Sequence, residues 1–192
     1  MEVKPNYCKL SIAFSEGTIF MVPKYQRAYS WTKENVDQYC SDMYELYLSS
    51  LADNPREHFL GGVVCVKVES DNDLDERNIY QLVDGQQRLS TTVLFFSRLV
   101  ERMKALNLDV EGAELRERRV GEYGDKFVVL AVEENDKVIR IPRITLSKRD
   151  YDFYDNLIRP TTVDVPTTKS HELLLEAKKV IDSYIDKVMA DD

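Results

Sequence analysis

A chain of 192 residues with 43% hydrophobic side chains is long enough to bury a core, either as one domain with an appendage or as two small ones. Its 26 Lys and Arg against 34 Asp and Glu leave a net charge of −8, which excludes a general nucleic-acid binder and confines any DNA contact to a local basic patch. The three scattered cysteines, Cys8, Cys40 and Cys65, exclude a disulfide framework, and with no leader-like or bilayer-length apolar run a soluble cytoplasmic protein that makes no membrane contact is expected.

Taken in order, residues 10–14 and 18–22 are short apolar segments on either side of Ser15-Glu16-Gly17, a turn signal. Residues 22–31, VPKYQRAYSW, gather Tyr25, Tyr29 and the single tryptophan, Trp31, beside Gln26 and Arg27. Pro23 disfavours helix before it, so this segment is predicted to be extended or looped. Aromatic rings beside Arg and Gln can stack on a base and read its edges. The same rings can instead be core anchors with Arg27 in an ion pair, and judged alone the segment favours that plainer reading. Thr32 is the predicted N-cap of a helix reaching about residue 51. Its apolar stripe is Val36, Tyr39, Cys40, Met43, Leu46, Tyr47 and Leu51, opposite a solvated acidic face. Residues 59–66 read as a buried strand whose Gly61 and Gly62 allow close backbone approach, with His58 as a structural histidine at its edge. The acidic run 71–76 reads as a connecting loop. With His58 and His171 as the only histidines, a histidine-rich metal site is not expected.

Residues 79–83 have the pattern of a strand, and from Leu89 apolar residues recur at Val93, Phe96, Val100 and Met103, the spacing of one buried helical face. The polar pentad Asp84-Gly85-Gln86-Gln87-Arg88 therefore falls on a strand-to-helix turn. Asp84 followed by Gln87 is a capping-box pattern with Asp84 as the cap. A helix start offers free N–H groups to an anion, Gly85 lets a ligand approach the backbone, and Arg88 adds a cation whose planar fork suits phosphate. A plain helix cap with a solvated Arg88 explains the same residues, and local chemistry alone favours it.

Beyond this point, residues 104–122 are charged and irregular, either a helix continuation or a surface insertion. Residues 126–132 and 138–146, joined by 133–136, predict a hairpin. Ser147 with Asp150 forms a second capping-box pattern before a short helix that ends near Pro160. Arg140, Arg143, Lys148 and Arg149 are the one notable basic concentration, solvated by default, with contact to a phosphate backbone as the sharper option. Residues 161–168 read as a linker to a helix over 171–189. That helix has an apolar stripe of Leu174, Ala177, Ile181, Tyr184 and Val188 close to the end of the chain, which predicts a truncated chain or a covering partner.

VPKYQRAYSW, HFLGGVVCV and YQLVDGQQRLSTT, in this order, resemble the DUF262 family, the DGQQR-motif proteins of ParB/sulfiredoxin-like fold that include GmrS- and SspE-type restriction proteins. The resemblance covers about residues 10–105 and continues more weakly through IPRITLSKRDYDFYDNLI. Ser90 stands where the family usually has threonine. The histidine-centred metal motif of the HNH-type nuclease domain that commonly follows is not found in this sequence. The resemblance implies a module that binds and hydrolyses a nucleoside triphosphate (NTP) and senses modified or foreign DNA in phage defence. Carried over by residue, it assigns catalysis to Asp84, Gln87 and Arg88, and nucleotide binding to Gly85, Gln86, Arg88 and Arg27. It assigns base or modified-DNA sensing to Tyr25, Gln26, Tyr29 and Trp31, and Mg2+, as an optional cofactor, to Asp84.

The expected fold is α+β, a ParB/sulfiredoxin-like small mixed sheet flanked by helices with a C-terminal helical and hairpin appendage. Residues 1–105 would be the core, 106–160 a family-type extension, and 161–192 a linker and truncated C-terminal helix. The expected partners are a nucleotide, DNA and a downstream or separate nuclease domain. The alternative is a non-catalytic, nucleotide-gated switch or DNA reader of ParB-like type. Nuclease activity is not expected from this chain alone.

Overall fold

A computed structural model of the chain describes residues 7–15, 17–68, 77–134, 137–159 and 165–191. The predicted acidic loop at 71–76, the hairpin tip at 135–136 and most of the predicted linker, 160–164, lie outside them.

The sheet is built around β1 (Thr18–Met21), whose Ile19 and Phe20 are buried. It pairs in parallel with β3 (Asn78–Asp84) on one side and with β6 (Ile144–Thr145) on the other. An edge strand, β2 (Val64–Lys67), runs antiparallel to β3, giving the order β2-β3-β1-β6. The architecture is the predicted α+β class, a small mixed sheet flanked by helices. The first short apolar segment, residues 10–14, forms one helical turn, α1 (Leu10–Ala13).

The helices cover the sheet through periodic apolar faces. In α3 (Gln86–Lys104), Leu89, Val93 and Leu94 are buried, and Leu82 of β3 is fully enclosed. Phe14, Phe20 and Phe127 meet edge to face, with ring centroids 5.4 and 5.8 Å apart. The predicted helix after Thr32 is α2 (Lys33–Ser50), and Asn35 Oδ1 accepts the Thr32 N–H at 3.0 Å. Only the first half of its stripe is buried, at Val36, Tyr39 and Cys40, while Tyr47 and Leu51 are exposed. Burial pushes the Cys40 thiol up to about 12, so it is an unreactive core residue. The C-terminal stripe is covered within the chain itself. In α6 (Lys169–Asp191), Leu174, Ala177 and Ile181 are buried against α2 and α3. Arg98 bonds to Asp182 at 2.7 Å and Arg102 to Asp186 at 2.6 Å, pinning the same interface.

Several predicted elements take a different form. Residues 59–66 are not a buried strand. Extended structure starts at Val64, the strand is an exposed edge, and Phe59 is 73% exposed. The uncertain stretch 104–122 holds a separate helix, α4 (Val110–Tyr123), with no buried residue. A π turn, Gly124–Val128, replaces the start of the predicted hairpin and turns Phe127 into the core. The hairpin itself, β4 (Val129–Glu134) with β5 (Lys137–Pro142), is antiparallel, but the chain leaves it at Arg143 to add β6 to the main sheet.

Arg143 is no solvated cation. It is buried and donates to the carbonyls of Asp125, Ser15 and Thr18, which stitches the π turn to β1. Burial lowers its pKa from the ordinary arginine value. The second capping box does not form either. Asp150 itself precedes α5 (Tyr151–Ile158), and its carboxylate serves other partners described below.

Candidate functional site

The strand-to-helix turn is where the two motifs meet. Asp84 is still the last residue of β3, opposite Val64 of β2, so it cannot be the helix cap. The cap is Gly85, at φ 88°, a left-handed conformation that L side chains rarely adopt. A Cβ there would lie 3.0 Å from Val63 Cγ2 and 3.1 Å from the Gly62 carbonyl, so the glycine pair 61–62 folds directly onto the turn. No side chain caps α3. The N–H groups of Gln86, Gln87 and Arg88 have no partner among the described residues.

The glutamines act on backbone. Gln26 Nε2 donates to the Val83 carbonyl at 2.9 Å, and Gln86 Nε2 to the Arg27 carbonyl at 2.8 Å. Gln87 Nε2 donates to the Ala28 carbonyl at 3.2 Å, while its Oε1 accepts the Ser30 N–H at 2.8 Å. The YQR loop and the DGQQR turn are thus clamped together from both sides. Gln87 closes no capping box, because its amide is committed to the loop at both ends.

The cations divide. Arg88 donates through Nη1 to the Gly62 carbonyl at 3.0 Å, and a Cβ on Gly61 would fall 2.5 Å from its Cζ. The bare Gly61 backbone, at φ 103°, therefore seats the guanidinium. Arg27 is exposed, and its side chain has no partner among the described residues. Asp84 is likewise exposed and unpaired.

Of the aromatic candidates, only Tyr25 is presented outward, at 75% exposure. Tyr29 is buried, and its hydroxyl pairs with Thr91 Oγ1 at 2.8 Å. Desolvation raises its pKa well above the ordinary tyrosine value. Trp31 packs on Tyr39 with ring centroids 6.1 Å apart. Tyr29 is a core anchor, while Trp31 is half-buried and packs against the core from its edge. Gln26 is half-buried and bound to backbone, so it too is tied down.

Behind the clamp lies a cavity of about 10 Å3 between Arg27, Tyr29, Gln86, Ser90 and Ser147. It has room for about one water and none for a nucleobase. Gln86 Oε1 is buried and has no hydrogen-bond partner. Such an atom costs about 1–3 kcal/mol unless something donates to it.

Gly61 seats Arg88, the close backbone approach that its glycine pair predicted, and one further participant was read only as a cap. Asp150, at 1% exposure, accepts from the Tyr29 N–H at 3.1 Å and from Ser170 Oγ at 2.6 Å, joining the loop to the start of α6. His171 lies 3.6 Å from the same carboxylate and stacks on Phe153. Nothing in the local pattern distinguished Asp150 from an ordinary cap.

The fold and the turn define a small α+β domain whose polar centre is built from two separated motifs. Residues 10–191 match the family described as the GmrSD restriction endonuclease, N-terminal domain, and the chain belongs to that family. Membership implies a domain of a restriction endonuclease, the enzyme class that acts in phage defence. No curated protein matches the chain. Among the described residues, no helix is long and apolar enough to cross a membrane.

Proposed function

We propose that the clamped turn binds the phosphates of an NTP and that the domain uses this site to sense modified DNA and regulate a nuclease domain. The observation that carries the reading is the meeting of an uncapped helix start with two cations, Arg88 and the exposed Arg27, at one turn. The N–H groups of Gln86, Gln87 and Arg88 would take phosphate oxygens, with Arg88 and Arg27 supplying charge. The cavity is too small for a base, so the base would lie outside the clamp, where Tyr25 is the exposed ring.

The metal fit is limited. Among the described residues, no three His, Cys, Asp or Glu side chains converge on a metal-sized site. Asp84 would hold Mg2+ together with the nucleotide's own phosphates, and the ion would neutralise charge on them. In the hydrolytic reading Asp84 orients the attacking water, and Gln87 holds the loop in place. A second reading, a nucleotide-gated switch without turnover, is favoured by the two hydrogen bonds of Gln87, one donated to the Ala28 carbonyl and one accepted from the Ser30 N–H, because a ligand at the turn would shift the loop directly.

Calorimetry with each NTP tests binding, and phosphate release separates the two readings. Arg88→Ala and Arg27→Ala are each expected to weaken binding by about 1.5–3 kcal/mol with a normal melting curve. Unchanged affinity in both folded variants would remove the phosphate site.

A further inference from the structure

We infer that the face carrying Lys24, Arg27, Lys148 and Arg149 is a track for the phosphate backbone of duplex DNA beside the DGQQR turn. The inference rests on the domain's place in a restriction endonuclease and does not require nucleotide binding. The four cations come from two distant stretches that the fold joins. Val22, Arg27 and Ser147 line one small cavity, and Asp150 takes the Tyr29 N–H. Lys148 and Arg149 stand between those two anchors, so they lie alongside the loop that carries Lys24 and Arg27.

All four side chains are exposed, and none has a partner among the described residues. The helical layer differs, since Arg98, Arg102, Lys104 and Lys178 each sit against a carboxylate. Their charge is cancelled where it arises. Of the acids nearest in sequence to Arg149, Asp150 is buried and committed to the Tyr29 N–H and Ser170 Oγ, and Asp152, in the first turn of α5, is exposed, so the four cations outnumber them. On a chain of net charge −8, this is the local basic patch that a phosphate backbone needs. The rest of the sequence's basic concentration does not join it. Arg143 is buried, and Arg140 lies on β5 beside a different groove.

The test is binding of the full chain to a short fluorescent DNA duplex across a salt series, with NTP affinity measured on the same samples. Without nucleotide, which would compete for Arg27, four phosphate contacts predict that log K falls with log salt at a slope of about −3.6, roughly a hundredfold loss between 50 and 200 mM. The variant Lys148→Ala/Arg149→Ala should flatten the slope by about 2 and weaken binding at low salt at least about tenfold, with NTP affinity unchanged. Lys137→Ala/Arg140→Ala on the hairpin should match the wild type. An unchanged slope in the folded first variant, a larger loss in the hairpin variant, or no DNA binding by the wild type would overturn the track. Wild-type chain that binds DNA with this slope but no NTP would sink the nucleotide site and leave the track standing.

Discussion

The two ends of α3 are built on opposite terms. At its N-terminus every polar side chain of the DGQQR turn except Asp84 is held against backbone from another part of the chain, and the cavity that remains is about 10 Å3. Toward its C-terminus α3 meets α4 and the π turn around an open groove of about 600 Å3, and α4 buries no residue at all. The first region is over-determined: a side chain moved there unmakes contacts in three elements. The second is attached through the π turn with its buried Phe127 and through shallow packing of α4 on α3, so its outer surface is free to change. Groups that must hold a fixed geometry belong at the first end, and sequence tolerance is expected at the second.

Four measurements break or sharpen this contrast. The largest effect is expected for Leu82→Ala, which empties a fully buried position in the strand leading to the turn and should cost about 3 kcal/mol in denaturant unfolding. A loss below about 1 kcal/mol would mean that this end of the molecule can collapse around the gap. Next comes Gly85→Ala, which forces an alanine into the left-handed region with its Cβ against Val63. It should cost about 2 kcal/mol and lower NTP affinity with it. Stability equal to the wild type would show that the turn is not fixed as described.

The third test concerns the seam between α3 and α6. Burial pushes the Asp182 carboxyl up, but bonds from Lys178 and Arg98 outweigh it and hold the pKa below the ordinary carboxylate value of 3.8. A carboxylate depressed in the folded state contributes stability that is fully present above the unfolded pKa and is lost as pH falls through the folded one. Melting temperature should therefore fall on acidification below about pH 4, and Asp182→Asn should flatten that limb. An identical acid limb in the variant would assign the loss to other carboxylates. The smallest effect has the opposite sign. In Gly121→Ala the new methyl meets nothing within 4 Å, on an exposed helix, so the variant should gain about 0.5–1 kcal/mol. A loss there would show that α4 is packed more tightly than its exposure indicates.

Periodicity made the strand-to-helix junction at residues 79–103 legible, and the C-terminal stripe as well, because a buried helical face repeats whatever covers it. What covered the stripe was not legible: α2 and α3 are brought to it only by the fold. The cap was misread one residue early because Asp84 and Gly85 both suit a helix start. Which of them ends the strand depends on pairing with Val64, more than a dozen residues upstream. Arg143 looked like one of four solvated cations for a similar reason, since its three carbonyl partners come from Ser15, Thr18 and Asp125. At the candidate site, the motif residues were identified, but the sequence did not divide them into those that hold, such as Gln26, Gln86 and Gln87, and those left open, such as Asp84, Arg27 and Tyr25.

That division has an effect on how the domain can diversify. The glutamine clamps recognise only main-chain carbonyl and N–H groups of Val83, Arg27, Ala28 and Ser30, and almost any residue supplies the same groups. The loop's path is therefore written in its backbone, while its outward side chains remain a separate alphabet. Arg27 or Ala28 can be exchanged without loosening the joint that aims them. A domain built on this joint can change what the loop presents while keeping the place from which it is presented.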